Sequence, residues 1–117
     1  MVLADTSVWI KHFRRGHAGL AGRLAEGFVL MHPFVSGELA CGNLKRRSVV
    51  LSQLSSLPAA KLATHIEALQ CIDLHRLSGR GLGWIDVHLL ASALLSGCRF
   101  WTLDKRLAQA AADLGLC

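Results

Sequence analysis

The apolar positions of this 117-residue chain fall into short unbroken runs separated by longer stretches of helical period. Val2 to Ala4, "FVLM" at 28–31 and "RFWTL" at 99–103 are too short for helices and lack polar alternation. That is the signature of strands buried on both faces. Ser7–Phe13 predicts a first helix, with Thr6 or Ser7 as its cap. "LAGRLAEG" at 20–27 predicts a second that ends on Gly27, and Pro33 opens a third running to Gly42. The region 46–75 is helical by pattern and broken at Pro58. "SGRGLG" at 78–83 reads as a glycine-rich loop, and "WIDVHLLASALLSG" as a helix closed by Gly97. A last helix starts near Asp104 and ends near Gly115. Strands alternating with helices predict an α/β fold, with a short, mostly parallel central sheet covered by helices. No linker, repeat or shift of composition divides the chain, so residues 1–117 are expected to form one domain.

Composition adds two points. The chain is 52% hydrophobic with a mean hydropathy of +0.39, yet no run approaches the length of a membrane helix. The surplus apolar surface therefore implies a protein interface. The N-terminus lacks the pattern of a signal peptide, and Cys41, Cys71, Cys98 and Cys117 form no metal-binding spacing. A cytoplasmic protein with free thiols, packed as small core residues, is expected. A net charge of +5 points to a polyanionic partner, with basic clusters in "KHFRRGH" at 11–17 and "KRR" at 45–47.

With only eight acidic residues, each position can be weighed. Asp5 and Asp104 directly follow apolar strands, at the sheet edge where α/β proteins bind ligands. Asp104 reads equally well as an N-cap, whereas Asp5 is spared that duty if Thr6 or Ser7 caps. On the helix at 84–96, His88, Ser92 and Ser96 form a polar stripe, and His88 reads as exposed. Asp86 lies about 200° from His88, on the side of Leu89, Leu90 and Ala93. Its place in the first helical turn also suits the dipole. Glu38 likewise shares a face with Phe34, Val35 and Cys41. Glu26, Glu67, Asp73 and Asp113 read as surface. Four carboxylates gathered at one edge would repel unless they held a cation or kept raised pKa values. Hard oxygen ligands suit Mg²⁺ or Mn²⁺, and such a site with a basic rim is equipped for phosphodiester cleavage.

"VLADTSVWI", "SGELACG", "GRGLGWIDVHLLASALL" and "FWTLDKRLAQAAADLG" occur in this order and together resemble the PIN-domain ribonucleases, most closely the VapC-type toxins. The resemblance spans nearly the whole chain. It implies a three-layer α/β/α PIN-like domain and a Mg²⁺- or Mn²⁺-dependent endoribonuclease acting as the toxin of a toxin–antitoxin pair. The family's acidic cluster falls on Asp5, Glu38, Asp86 and Asp104, with Asp5, Asp86 and Glu38 as metal ligands. Thr6 and Thr102 would orient Asp5 and Asp104 by hydroxyl hydrogen bonds, although Thr102 reads equally as an ordinary strand threonine. The resemblance also implies an RNA substrate of the transfer or ribosomal class, a cognate antitoxin and a homodimer. Lys11, Arg14, Arg15, Lys45, Arg46, Arg80 and Lys105 are the candidate phosphate contacts. The chain departs from the family pattern at "LGLC", where a final edge strand is short or absent.

Competing readings fit less well. A dehalogenase-type phosphatase wants an acid two residues after its first Asp, and position 7 is Ser7. A receiver domain wants an acidic pair before the phosphorylated Asp, and none is present. The six histidines show no cooperative spacing for metal-free cleavage. Trp9, Trp84 and Trp101 each lie within an apolar run and read as core or interface anchors. An RNA-processing nuclease without toxin role, and a non-catalytic interaction module whose acids are caps, remain as alternatives.

Overall fold

A computed structural model describes residues 1–117. Its elements run β1 (Val2–Ala4), α1 (Thr6–Arg15), α2 (Ala18–Glu26), β2 (Val29–Leu30), α3 (Pro33–Cys41), α4 (Arg47–Ser55), α5 (His65–His75), α6 (Trp84–Ser96), β3 (Arg99–Trp101) and α7 (Lys105–Asp113). The strands form one all-parallel sheet in the order β2-β1-β3. Val2 faces Val29 on one side and Arg99 on the other, and Ala4 pairs with Trp101. Every residue of β1 is buried, as a strand covered on both faces demands. Set between seven helices, this small sheet gives the three-layer α/β/α arrangement. Strand order reverses at β1, whose carboxyl end is therefore the crevice position of an α/β sheet.

Both outer edges of the sheet are occupied. Beyond β2, Met31 bridges to Ala59 in parallel, with Met31 N–H donating to the Pro58 carbonyl at 2.8 Å. Beyond β3, Phe100 N–H donates to the Leu116 carbonyl at 2.8 Å. Edge backbone groups are thereby satisfied without further strands.

Three expectations need correction here. The helical pattern of 46–75 resolves into α4 and α5 with a non-helical stretch from 56 to 64 between them. The break at Pro58 is thus wider than one residue because 58–60 pairs with Met31. The His88–Ser92–Ser96 stripe does not face solvent: His88 and Ser92 are buried, as are all residues of α6 from Val87 to Ala93. The middle of this helix is covered by other elements, so its polar positions there do not mark an outer face. Of the cysteines, Cys71 and Cys98 are core residues as expected, whereas Cys41 and Cys117 are exposed; all four are free thiols.

The caps follow simple chemistry. Gly27 and Gly97 close α2 and α6 in the left-handed conformation, at φ 77° and 62°. Thr64 and Glu67 form a reciprocal capping box on α5, so Glu67 is a cap residue. His32 caps α3, its Nδ1 accepting from Phe34 N–H at 3.0 Å, with Pro33 in the first helical position.

Candidate active site

Asp5 leaves β1 and caps α1. Its Oδ1 accepts from Ser7 N–H at 3.0 Å, the Ser7 hydroxyl at 2.5 Å and Val8 N–H at 3.4 Å. Neither Thr6 nor Ser7 is the cap. The strand ends one residue before the helix, which leaves Asp5 in extended conformation with its carboxylate over the first turn. The other oxygen, Oδ2, accepts from the Thr102 hydroxyl at 2.6 Å. That same hydroxyl accepts from Asp104 N–H at 3.1 Å, while the Ser7 hydroxyl accepts from Leu103 N–H at 3.0 Å. Two hydroxyls thus tie the segment after β3 to the segment after β1. Asp5 is only 7% exposed, and this donor set is what allows a carboxylate there.

Thr102 therefore acts on both aspartates and is not an ordinary strand threonine. Thr6 does not act on Asp5: its hydroxyl donates to Glu38 Oε1 at 2.7 Å, linking α1 to α3. Ser7, expected only as a helix cap, orients Asp5 instead. An Asp followed two residues later by Ser at a helix start carried the signal.

The remaining acids are each held by one oxygen. Asp104 caps α7 through Oδ1, which accepts from Leu107 N–H at 3.0 Å. Asp86 Oδ2 accepts from Gly83 N–H at 2.9 Å, joining α6 to the glycine-rich loop. Glu38 Oε2, Asp86 Oδ1 and Asp104 Oδ2 accept no hydrogen bond from the protein. The four groups converge electrostatically. Burial pushes the Asp86 carboxyl above its ordinary pKa against the lowering effect of Gly83 N–H, and the negative charges of Asp104, Asp5 and Glu38 raise it further. The convergence stops short of contact: no three acidic, histidine or cysteine side chains close a coordination shell around one point. Carboxylate oxygens that accept no hydrogen bond from the protein are ligands of the kind a hard divalent cation could take.

The basic residues are placed unequally. Lys11, Arg14 and Arg15 lie exposed on α1, and Lys45, Arg46 and Lys105 are exposed near the starts of α4 and α7. Arg80 is engaged, its guanidinium donating to Asp113 at 2.7 Å. Of thirteen lysines and arginines, only Arg23 and Arg80 pair with a carboxylate. Trp9 is buried, whereas Trp84 is partly exposed and meets His88 edge-on at 4.6 Å.

Replacing Thr102 by valine removes a donor from Asp5 and an acceptor from Asp104 N–H with little change of shape. The expected cost is about 1–3 kcal/mol in urea unfolding, restored by Thr102→Ser.

The PIN domain family profile matches residues 2–113. Two similar proteins, both named ribonuclease VapC32, come from Mycobacterium tuberculosis strains CDC 1551 / Oshkosh and ATCC 25618 / H37Rv. Each is 47% identical over 117 residues, which cover 99% of this chain and 94% of the relative.

Proposed function

The chain belongs to the PIN-domain family and is of the VapC type, and on that premise we propose that it is a metal-dependent endoribonuclease, the toxin of a toxin–antitoxin pair. The observation that carries the reading is the gathering of Asp5, Glu38, Asp86 and Asp104 near the carboxyl end of the sheet, near enough for the charges of the other three to act on Asp86. Capping accounts for one oxygen of Asp86 and one of Asp104 but not for the gathering of four like charges, and clusters of this kind mark catalytic sites.

Asp5, Asp86 and Glu38 would hold Mg²⁺ or Mn²⁺, with Asp104 completing the acidic site. When bound, the ion would supply charge neutralisation of the phosphate and activation of water. Ser7 and Thr102 fix Asp5 so that its carboxylate needs no reorganisation, and Thr6 does the same for Glu38. The unpaired cations Lys11, Arg14, Arg15, Lys45, Arg46 and Lys105 draw in the RNA backbone, and Arg80 joins them only by leaving Asp113. The name of the two relatives supports RNA as substrate and an antitoxin as partner.

The exposed apolar side chains of Leu62, Ile66, Leu69, Trp84 and Ile85 support protein contacts, with an antitoxin and with a second copy of the chain. Light scattering of the isolated protein should give a dimer mass; a monomer at all concentrations would remove the second copy.

The function is tested by incubating total cellular RNA with the purified protein in Mg²⁺, in Mn²⁺ and in EDTA. Discrete fragments that vanish in EDTA are expected. Cleavage that persists in EDTA would overturn the metal, and no cleavage from folded protein would overturn the nuclease.

A further inference from the structure

The face of α1 that begins at the acidic site does not end there. Thr6, Ile10, Phe13 and Arg14 recur at helical spacing on one side, and Thr6 holds Glu38. From Thr6 to Arg14 the face extends about 12 Å. It forms one wall of a cleft of about 500 Å³ whose other wall is α3 and the turn after it, and Glu38 lines this cleft as well as the acidic site. The floor is apolar: Ile10 and Phe13 are each 38% exposed, and Leu44 joins them. Arg14 and Lys45 line it too, and neither has a carboxylate partner.

We propose that this cleft is a nucleotide subsite, holding one unpaired RNA base that flanks the scissile phosphate. The proposal rests on the nuclease reading and specifies how the substrate is seated. Phe13 offers its ring to a base, Arg14 and Lys45 take the phosphates on either side, and Asn43 at the cleft presents an amide to the base edge. RNA satisfies both halves of the surface at once, because its bases suit an apolar floor and its phosphates suit unpaired cations. Continuity through Glu38 fixes where the base lies relative to the cut. A paired base cannot reach such a floor, so the subsite selects unpaired nucleotides.

The test uses the full-length Asp86→Asn protein, expected to cut RNA far more slowly than the parent, and a fluorescent single-stranded RNA of mixed sequence on the order of ten nucleotides long. Fluorescence anisotropy reads the affinity. Phe13→Ala is expected to weaken binding about tenfold, the scale of one lost base–aromatic stack. Phe13→Trp should bind as the parent does, and Lys45→Ala should flatten the salt dependence by about 0.7 in slope. Phe13 also contacts Trp9 at 5.7 Å, so Phe13→Leu, which keeps an apolar contact and loses the ring, separates stacking from folding and should weaken binding as well. Affinity for a blunt RNA duplex should be unaffected by either change.

Unchanged single-strand affinity in both variants, or equal losses on single strand and duplex, overturns the subsite, as does a parent protein that binds no RNA. If Phe13→Ala spares RNA binding but abolishes binding of a co-expressed antitoxin, the cleft is a protein surface and the proposal fails. Wild-type cleavage is scored separately. Cleavage without Phe13 dependence removes only the subsite, whereas Phe13 dependence without cleavage removes the nuclease and leaves an RNA-binding cleft.

Discussion

Asp86→Asn is expected to lower RNA cleavage by roughly 10²–10³-fold, the scale of losing one preorganised electrostatic group. The same change should raise the free energy of unfolding at neutral pH by about 0.5–2 kcal/mol, the scale of single stabilising substitutions. The sign follows from the Asp86 carboxyl, which burial and three neighbouring acids raise above its ordinary pKa. A raised carboxyl binds its proton more tightly in the folded protein than in the unfolded chain. Its contribution to stability therefore falls as pH rises from the unfolded pKa through the folded one, and at neutral pH it is a cost. Asparagine removes the charge and keeps an oxygen to accept from Gly83 N–H. Urea unfolding of both proteins, at neutral pH and below the carboxyl range, checks it: the gain should be present in the first and absent in the second. Asp5→Asn is a poorer probe of catalysis. Asp5 oxygens accept from three donors of the first turn and from Thr102, so an amide there disturbs the fold along with the site.

The second large effect is acid sensitivity at His32. Burial, with the nearby His88 adding to it, lowers its pKa to about 4 from 6.5. Its Nδ1 accepts from Phe34 N–H, so the neutral ring is the one that caps α3 and thereby sets Glu38. A lowered histidine contributes stability that is complete above the unfolded pKa of 6.5 and is lost as pH falls to about 4. Those two values correspond to about 3–4 kcal/mol at most. His32→Asn keeps a capping oxygen and cannot titrate. The unfolding free energy of the parent should fall steeply over this window, while that of His32→Asn should be nearly flat apart from the carboxylates common to both. Parallel curves would show that His32 does not govern acid unfolding.

Strand and helix identity were legible because the apolar runs were short and unbroken where the sheet is, and periodic where the helices are. Val2–Ala4, α6 with Gly97, and Pro33 opening α3 stand where the pattern put them. The pattern misled where tertiary context overrides it. The His88–Ser92–Ser96 stripe looked like a surface because polar residues recurred at helical spacing, yet the middle of the helix is buried and His88 packs against Trp84 and Phe34. The four acids could be selected from their places after strands and on apolar faces. Their fixing could not, since Thr102 meeting Asp5 depends on residues 97 positions apart. The division of labour between Thr6 and Ser7 was hidden for the same reason: Thr6 turns to Glu38, 32 residues away.

The most direct test of the acidic site is calorimetric titration of the wild-type protein with Mn²⁺, beside Asp86→Asn and Thr102→Val. The expected result is saturable binding by wild type, absent from Asp86→Asn and weakened in Thr102→Val, whose Asp5 has lost its Thr102 donor. Binding of equal strength in wild type and Asp86→Asn, or none in wild type, would contradict a cation held by these carboxylates.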